Sequence, residues 1–214
     1  MITVKQSKEM GYIPEEYWNV VDDKCECGSD FIISRNRKTM MCSNDRCYIK
    51  NAYRSAELLD NLGVKGMGFS YCYNYIKQGE FKSHLAILLG DVKFHPHQTS
   101  HYIRQNNVEL IEEALKQPVT YREAISKCAI PELKEQALTI FKGINSYEEY
   151  LLELLNFENE ENPVFSFVGS RIGSYDVLAE KLTYILVKFN DDLKFISMVF
   201  NIIPDSKKEY KIAV

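Results

Sequence analysis

A chain of 214 residues, 45% of them hydrophobic, can bury a core as one large domain or two small modules. Its formal net charge of −4 excludes a protein that coats nucleic acid through its overall charge. Any contact with nucleic acid would therefore use a local basic patch. No uninterrupted run of 18 apolar residues is present, and the first ten residues lack the apolar core of a signal peptide, so we expect a soluble cytoplasmic chain.

The first elements in chain order are short. Residues 1–23 are polar and acidic, and are interpreted as a lead-in segment with at most one short element. The next window, residues 24–54, carries seven Lys or Arg residues against three acids. Within it, residues 31–34 and 39–41 have the composition of strands. We predict a small hairpin whose tip, residues 35–38, is cationic.

Four cysteines fall inside this window: Cys25, Cys27, Cys42 and Cys47. A hairpin can bring four soft thiolates to one tetrahedral ion, and Zn²⁺ is the metal that most favours such sites. The alternative is four reduced, partly buried cysteines without a metal. The other two cysteines, Cys72 and Cys128, lie on helical patterns and are predicted to be core thiols.

From residue 51 the pattern predicts short helices of roughly 8 to 15 residues. Thr120 with Glu123, and Ser146 with Glu149, have the spacing of capping boxes. Pro131 suits the first turn of a helix that continues to Phe141. The polar segment 157–163 is the predicted domain boundary. Four elements are predicted beyond it: a strand at 164–168, a helix at 175–189, an apolar element at 193–203 and a terminal strand at 208–214.

The segment Gly66-Met67-Gly68 predicts a tight turn between two helices. Glycines allow backbone conformations that side chains forbid, Met67 can point inward, and the free N–H groups at the next helix start can bind a phosphate oxygen. These features are typical of a helix-hairpin-helix unit, which holds a nucleic-acid backbone without reading bases. An ordinary tight turn packed in a core is the other interpretation.

The order of these parts resembles the C-terminal half of bacterial-type NAD-dependent DNA ligases. The resemblance is carried by Cys27-Gly28, the basic hairpin, the segment from Cys42 to Cys47, a helix, and the segment from Leu62 to Gly68. It continues more faintly through residues 110–115, 121–125, 129–131 and 137–141. In this family a four-cysteine zinc finger directly precedes a helix-hairpin-helix domain. The chain departs from the family where one residue separates Cys25 and Cys27, and where Glu132-Leu133-Lys134 replaces a Gly-x-Gly.

The resemblance implies a mainly α fold: a four-Cys zinc hairpin at 24–50, a helix-hairpin-helix array at 51–157, and a small α/β or α unit at 164–214. The last unit is either a degenerate hairpin repeat or a shortened BRCT-like unit. It also implies structural Zn²⁺ on the four cysteines and sequence-independent binding of duplex or nicked DNA. The implied DNA contacts are Arg35, Arg37, Lys38, Lys65, Gly66, Met67 and Gly68.

Nick sealing in this family needs a Lys-x-Asp-Gly motif, and this sequence contains no Asp-Gly pair. We therefore expect no catalysis by the chain alone, and a separate adenylating partner in a bacterial or phage-infected cell. Two rival hypotheses remain. The chain can be a protein-interaction adaptor or inhibitor that reuses this scaffold, or a metallo-enzyme using His95, His97 and His101.

Overall fold

The computed structural model describes residues 2–33, 40–90 and 101–207, with the side chains of 101–104 and 207 excepted. Three predicted features lie outside these residues: the cationic tip with Arg35, Arg37 and Lys38, the pair His95 and His97, and the terminal strand at 208–214. The described part is mainly helical with one small sheet, so the mainly α prediction is confirmed.

The sheet contains the predicted hairpin and one strand that was not predicted. β2 (Phe31–Ile33) pairs antiparallel with β3 (Met40–Cys42), with Phe31 opposite Cys42. β1 (Ile2–Thr3) joins the other edge of β2, and Ile2 lies opposite Ile33. The lead-in segment also contains α1 (Val4–Glu9) and a 3₁₀ turn at Glu15–Tyr17. The prediction of at most one element there was therefore wrong.

The helices follow in short pieces, as predicted. They are α2 (Tyr48–Asn61), α3 (Phe69–Gln78), α4 (His101–Lys116), α5 (Tyr121–Lys127), α6 (Lys134–Ile140), α7 (Tyr147–Leu155), α8 (Pro163–Ile172), α9 (Val177–Lys188) and α10 (Asn190–Val199). A 3₁₀ segment, His84–Leu89, follows α3, and another occupies Asp205–Lys207.

The predicted helix starts have mixed outcomes. The Glu123 carboxylate accepts from the backbone N–H of Thr120 at 3.0 Å, as a capping box requires. Ser146 caps α7, but the Glu149 carboxylate reaches the N–H of Asn145 instead of that of Ser146. Pro131 lies before α6, which begins three residues later at Lys134, because Glu132 has a left-handed φ of 62° that a helix cannot contain.

The strand predicted at 164–168 was wrong, because these residues belong to α8. Asn162 caps that helix through its side-chain oxygen, which accepts from Phe165 N–H at 3.1 Å, and Pro163 occupies its first turn. The apolar element predicted near 193–203 corresponds to α10, and the helix predicted at 175–189 corresponds to α9.

One core runs through the helices on both sides of the 157–163 segment, from Ala52 to Phe200. Cys72 and Cys128 are completely buried in it, as predicted, and so is Tyr75. The four other cysteines form a small separate cluster beside the sheet. Among the helices that the structure describes, none combines the length and apolarity needed to cross a membrane.

Candidate metal centre and glycine turn

The cysteine cluster, Cys25, Cys27, Cys42 and Cys47, is brought together by three elements. The first two cysteines lie in the loop before β2, Cys42 ends β3, and Cys47 is the N-cap residue of α2. All four sulfur atoms lie within 4.8 Å of one another. The Sγ atoms of Cys25 and Cys47 are 3.7 Å apart, and those of Cys27 and Cys42 are 3.4 Å apart. The cluster could therefore hold a metal ion.

The tight spacing of Cys25 and Cys27 is accommodated by a turn that reverses the chain. Gly28 N–H donates to Cys25 O at 2.8 Å, and Cys25 N–H donates to Ser29 O at 2.8 Å. Gly28 closes this turn with a φ of 82°, which residues with a side chain rarely adopt. One intervening residue is thus enough to direct both sulfurs to the same point.

Burial and hydrogen bonding give the thiols different acidities in the absence of a metal. Burial raises the pKa of Cys25 and of Cys42. Burial also opposes ionisation of Cys27, but hydrogen bonds from Ser29 and from the Cys42 thiol outweigh it and lower its pKa to about 6. A metal ion would replace the thiol protons, because thiolates are the ligating form.

The sulfur positions fit a tetrahedral metal. A Zn–S bond of about 2.3 Å places the four sulfurs of a tetrahedron about 3.8 Å apart. The Cys25–Cys47 and Cys27–Cys42 sulfur pairs, at 3.7 and 3.4 Å, are near this value, and every pair lies within 4.8 Å. Cys25, Cys42 and Cys47 are buried, so water has little access to three of the four donors.

Ionic contacts attach the loops of the cluster to helices on two sides. On one side, the Glu26 carboxylate accepts from Lys77 Nζ at 2.8 Å and from the Tyr73 hydroxyl at 2.5 Å. The Lys77 hydrogen bond, followed by that from Tyr73, lowers the pKa of Glu26 to about 2. On the other side, Lys188 of α9 pairs with Asp45. Sequence reasoning missed these contacts, since the partners are far apart in the chain.

The glycine turn, residues 63–68, joins α2 to α3. Gly63 and Gly66 have φ values of 78° and 88°, in the left-handed region that favours glycine. Met67 is buried, as predicted, while Gly66 and Gly68 are exposed. Lys65 is also exposed and pairs with Asp60 at 2.5 Å.

The start of α3 leaves hydrogen-bond donors unused. Gly68 is its N-cap residue, with an extended backbone at φ −78° and no capping side chain. Within the described ranges, no protein acceptor meets the backbone N–H of Gly66, Gly68 or Phe69. Unpaired N–H groups at a helix N-terminus attract anions, and the helix dipole adds to this effect.

A second turn, residues 129–134, repeats the same geometry 66 residues later, between α5 and α6. Ala129 and Glu132 have φ values of 52° and 62°, at the positions of Gly63 and Gly66. Ile130 and Leu133 are buried, as Val64 and Met67 are at the matching positions.

The polar residues of the second turn are already engaged within the protein. Glu132 pairs with Lys181 of α9 at 2.8 Å, and Lys134 pairs with Glu57 of α2. Both turns are exposed to solvent, but the second turn carries ion-paired side chains at the positions where the glycine turn has Gly66 and Gly68.

The two candidate sites lie at opposite ends of α2, since Cys47 precedes its first residue and Gly63 follows its last turn. The third predicted set, Arg35, Arg37 and Lys38, lies outside the described residues. Comparison with known proteins adds nothing to this geometry: no family model, curated protein or solved structure matches the chain.

Proposed function

We propose that this chain is a non-catalytic, sequence-independent duplex-DNA-binding subunit resembling the C-terminal half of an NAD-dependent DNA ligase. In this proposal Zn²⁺ occupies the cysteine cluster in a reducing cytoplasm, and a separate polypeptide supplies adenylation and nick sealing. The lack of an Asp-Gly pair in the sequence supports the separate partner.

The observation that carries the proposal is the pair of equivalent turns. Two helix pairs share φ values above zero at the first and fourth turn positions and buried apolar residues at the second and fifth. A helix-hairpin-helix unit requires such a turn, and two of them support an array. Both turns leave N–H groups at matching positions without an acceptor in the described residues, but only the glycine turn has no side chains on Gly66 and Gly68 to obstruct a phosphate, so we assign it the phosphate contact.

Gly68→Val is the sharpest test of this contact. A Cβ on Gly68 meets no heavy atom within 4 Å, and its φ of −78° is allowed for any residue, so the fold should tolerate the change. The new side chain would stand between the α3 N-terminus and a phosphate. Fluorescence anisotropy with a labelled duplex should then show affinity reduced roughly tenfold, as expected for the loss of a charge-assisted hydrogen bond.

The matched control is Ser170→Val on α8. Its hydroxyl donates only to Phe167 O of the same helix, so duplex affinity should stay the same. Wild-type affinity should be equal for unrelated sequences, and Lys65→Ala should reduce the slope of log K against log[salt] by about 1. Unchanged affinity in folded Gly68→Val would refute the phosphate contact.

The partner is tested separately. Affinity capture of the tagged chain from its native cell, with mass spectrometry and a nick-sealing assay with NAD, should recover a polypeptide that carries Lys-x-Asp-Gly. Sealing by the eluate should fall with Gly68→Val and persist with Ser170→Val.

Zinc is tested by elemental analysis of the purified chain, where iron in place of zinc would overturn the metal assignment.

A second candidate, the protein-interaction adaptor, is favoured by residues 9–23. This segment has five acids and no Lys or Arg. Tyr17, Trp18 and Val20 expose 50%, 40% and 74% of their surface there, and aromatic residues are enriched in protein interfaces. An adaptor should show no salt-dependent duplex binding, which separates the two functions in the same anisotropy experiment.

A further inference from the structure

A polar cavity of about 140 Å³ lies where three parts of the chain meet. These parts are the loop before α2 with the first turns of that helix, residues 82–84, and the junction of α9 and α10. Its lining contains four cations and three acids. The volume equals that of about four to five water molecules, which is enough for a group of five heavy atoms.

Arg54 provides the donors of this cavity. Its guanidinium lies 5.8 Å from the Phe189 ring centre, and Nη1 donates to Asp45 O at 3.0 Å. No other acceptor meets the group in the described part of the chain, although a guanidinium has five N–H donors. Its remaining N–H groups are partly exposed to solvent. Burial lowers the pKa of Arg54, as expected for a cation that has lost much of its water.

Asp192 provides the acceptor. Its Oδ1 atom accepts from the Ser83 hydroxyl at 2.7 Å, and within the described residues Oδ2 has no partner. Burial raises the pKa of the Asp192 carboxyl. Contacts within the protein therefore do not fully compensate the charged carboxylate for its lost hydration. The cavity thus presents incompletely paired donors and an incompletely paired acceptor.

The cations of the cavity outnumber its acids once internal pairs are set aside. Lys188 is neutralised by Asp45. In the part of the chain that the structure describes, Arg46, Arg54 and Lys82 make no ion pair with a carboxylate, and Asp191 and Asp192 make none with a cation, although the charges of Arg46 and Arg54 do act on Asp192. Three cations against two acids favour an anionic ligand over a neutral or cationic one.

We propose that this cavity binds a phosphate group that carries a proton, either inorganic phosphate or a phosphate monoester. Its charged oxygens accept from Arg54 and Arg46, and its P–OH group donates to Asp192. Inorganic phosphate keeps this hydroxyl at pH 7, whereas a monoester keeps it only near or below its second pKa of about 6. An internucleotide phosphodiester has no such hydroxyl, so the site is distinct from the backbone contact assigned to the glycine turn. Sulfate has the same shape but no proton at neutral pH, which makes Asp192 the selective element.

Isothermal titration of the whole chain with inorganic phosphate and with sulfate, at pH 7 and constant ionic strength, tests the proposal. Phosphate should bind saturably, and sulfate should bind roughly tenfold or more weakly, because it leaves Asp192 unpaired beside an anion. Asp192→Asn replaces the acceptor with an amide that can donate, so it should remove this preference.

Two arginine variants complete the test. Arg46→Ala changes an exposed residue and should weaken phosphate binding roughly tenfold without loss of fold. Arg171→Gln removes an arginine of α8 that is paired with Glu153, and it should have no effect on phosphate binding. No saturable binding, or equal affinity for phosphate and sulfate, would overturn the proposal.

The source of the phosphate is resolved by competition. At pH 6, where part of a phosphate monoester keeps its proton, a short oligonucleotide with a 5′ phosphate should displace inorganic phosphate if a strand end is the ligand, whereas the same oligonucleotide without it should not. Failure of both oligonucleotides to compete, with inorganic phosphate still bound, would assign the site to free phosphate.

Discussion

The glycine turn makes a quantitative prediction, because its two exposed glycines have opposite conformational requirements. Gly66→Ala forces a residue with a Cβ to adopt a φ of 88°. Left-handed backbone costs such a residue about 1–2 kcal/mol. The smaller entropy of the unfolded chain offsets about 0.4–1 kcal/mol of this cost. We expect a net loss of roughly 1 kcal/mol.

Gly68→Ala should behave differently. The φ of Gly68, −78°, suits alanine, and a Cβ there has open space around it. The unfolded-state gain of about 0.4–1 kcal/mol is opposed by the preference for glycine over alanine at an N-cap, so we expect a net change smaller than about 0.5 kcal/mol. For a chain of this size, 1 kcal/mol corresponds to a shift of about 2–4 °C in Tm.

Thermal unfolding followed by far-UV circular dichroism, at a fixed metal concentration, measures both variants. Gly66→Ala should melt about 2–4 °C below the wild type, and Gly68→Ala within about 2 °C of it. Equal losses in both variants would refute the backbone argument, since they would mean that the glycines are needed for space and not for φ.

Three further predictions concern the metal, the core and pH. Cys42→Ser should abolish metal binding, as measured by elemental analysis. It should retain the helical circular dichroism signal, because the cysteine cluster lies outside the helical core. Full retention of the metal would contradict this prediction. Leu133→Ala should cost about 2–5 kcal/mol in urea unfolding, whereas exposed Leu152→Ala should change stability by less than about 0.5 kcal/mol. Burial lowers the pKa of His84 to about 4, below its unfolded value, so protonation favours unfolding and up to about 3 kcal/mol should be lost as pH falls from about 6.5 to 4. The loss of stability should be smaller in His84→Gln. Equal profiles of unfolding free energy against pH in the variant and the wild type would contradict the role given to His84.

Local sequence signals were sufficient for the hairpin and the cysteine cluster. The strands at 31–33 and 40–42 are apolar and flank a polar tip. Their pairing brings Cys42 close to the loop that carries Cys25 and Cys27, and Cys47 follows five residues later at the start of α2. Strand β1 was missed because Ile2 pairs with Ile33, and no local pattern encodes a partner at that separation.

The segment 164–168 shows how periodicity misleads over a short run. Val-Phe-Ser-Phe-Val has strand-forming residues, but Asn162 and Pro163 start a helix and the surrounding core accepts its apolar side chains. The second turn was predicted only as a departure from Gly-x-Gly. That Ala129 and Glu132 adopt left-handed backbone could not be predicted from residue type, because neither is glycine.

The position of Cys47 as N-cap residue of α2 sets a length scale for the proposed complex. The 14 residues of α2 span about 21 Å, which is the rise of about six base pairs of duplex DNA. A duplex that runs along α2 and contacts both of its ends must therefore be longer than this, and in that orientation a footprinting experiment should show protection over more than half a helical turn. Removing the metal should shorten that footprint from one side only, because the glycine turn at the far end rests on the helical core.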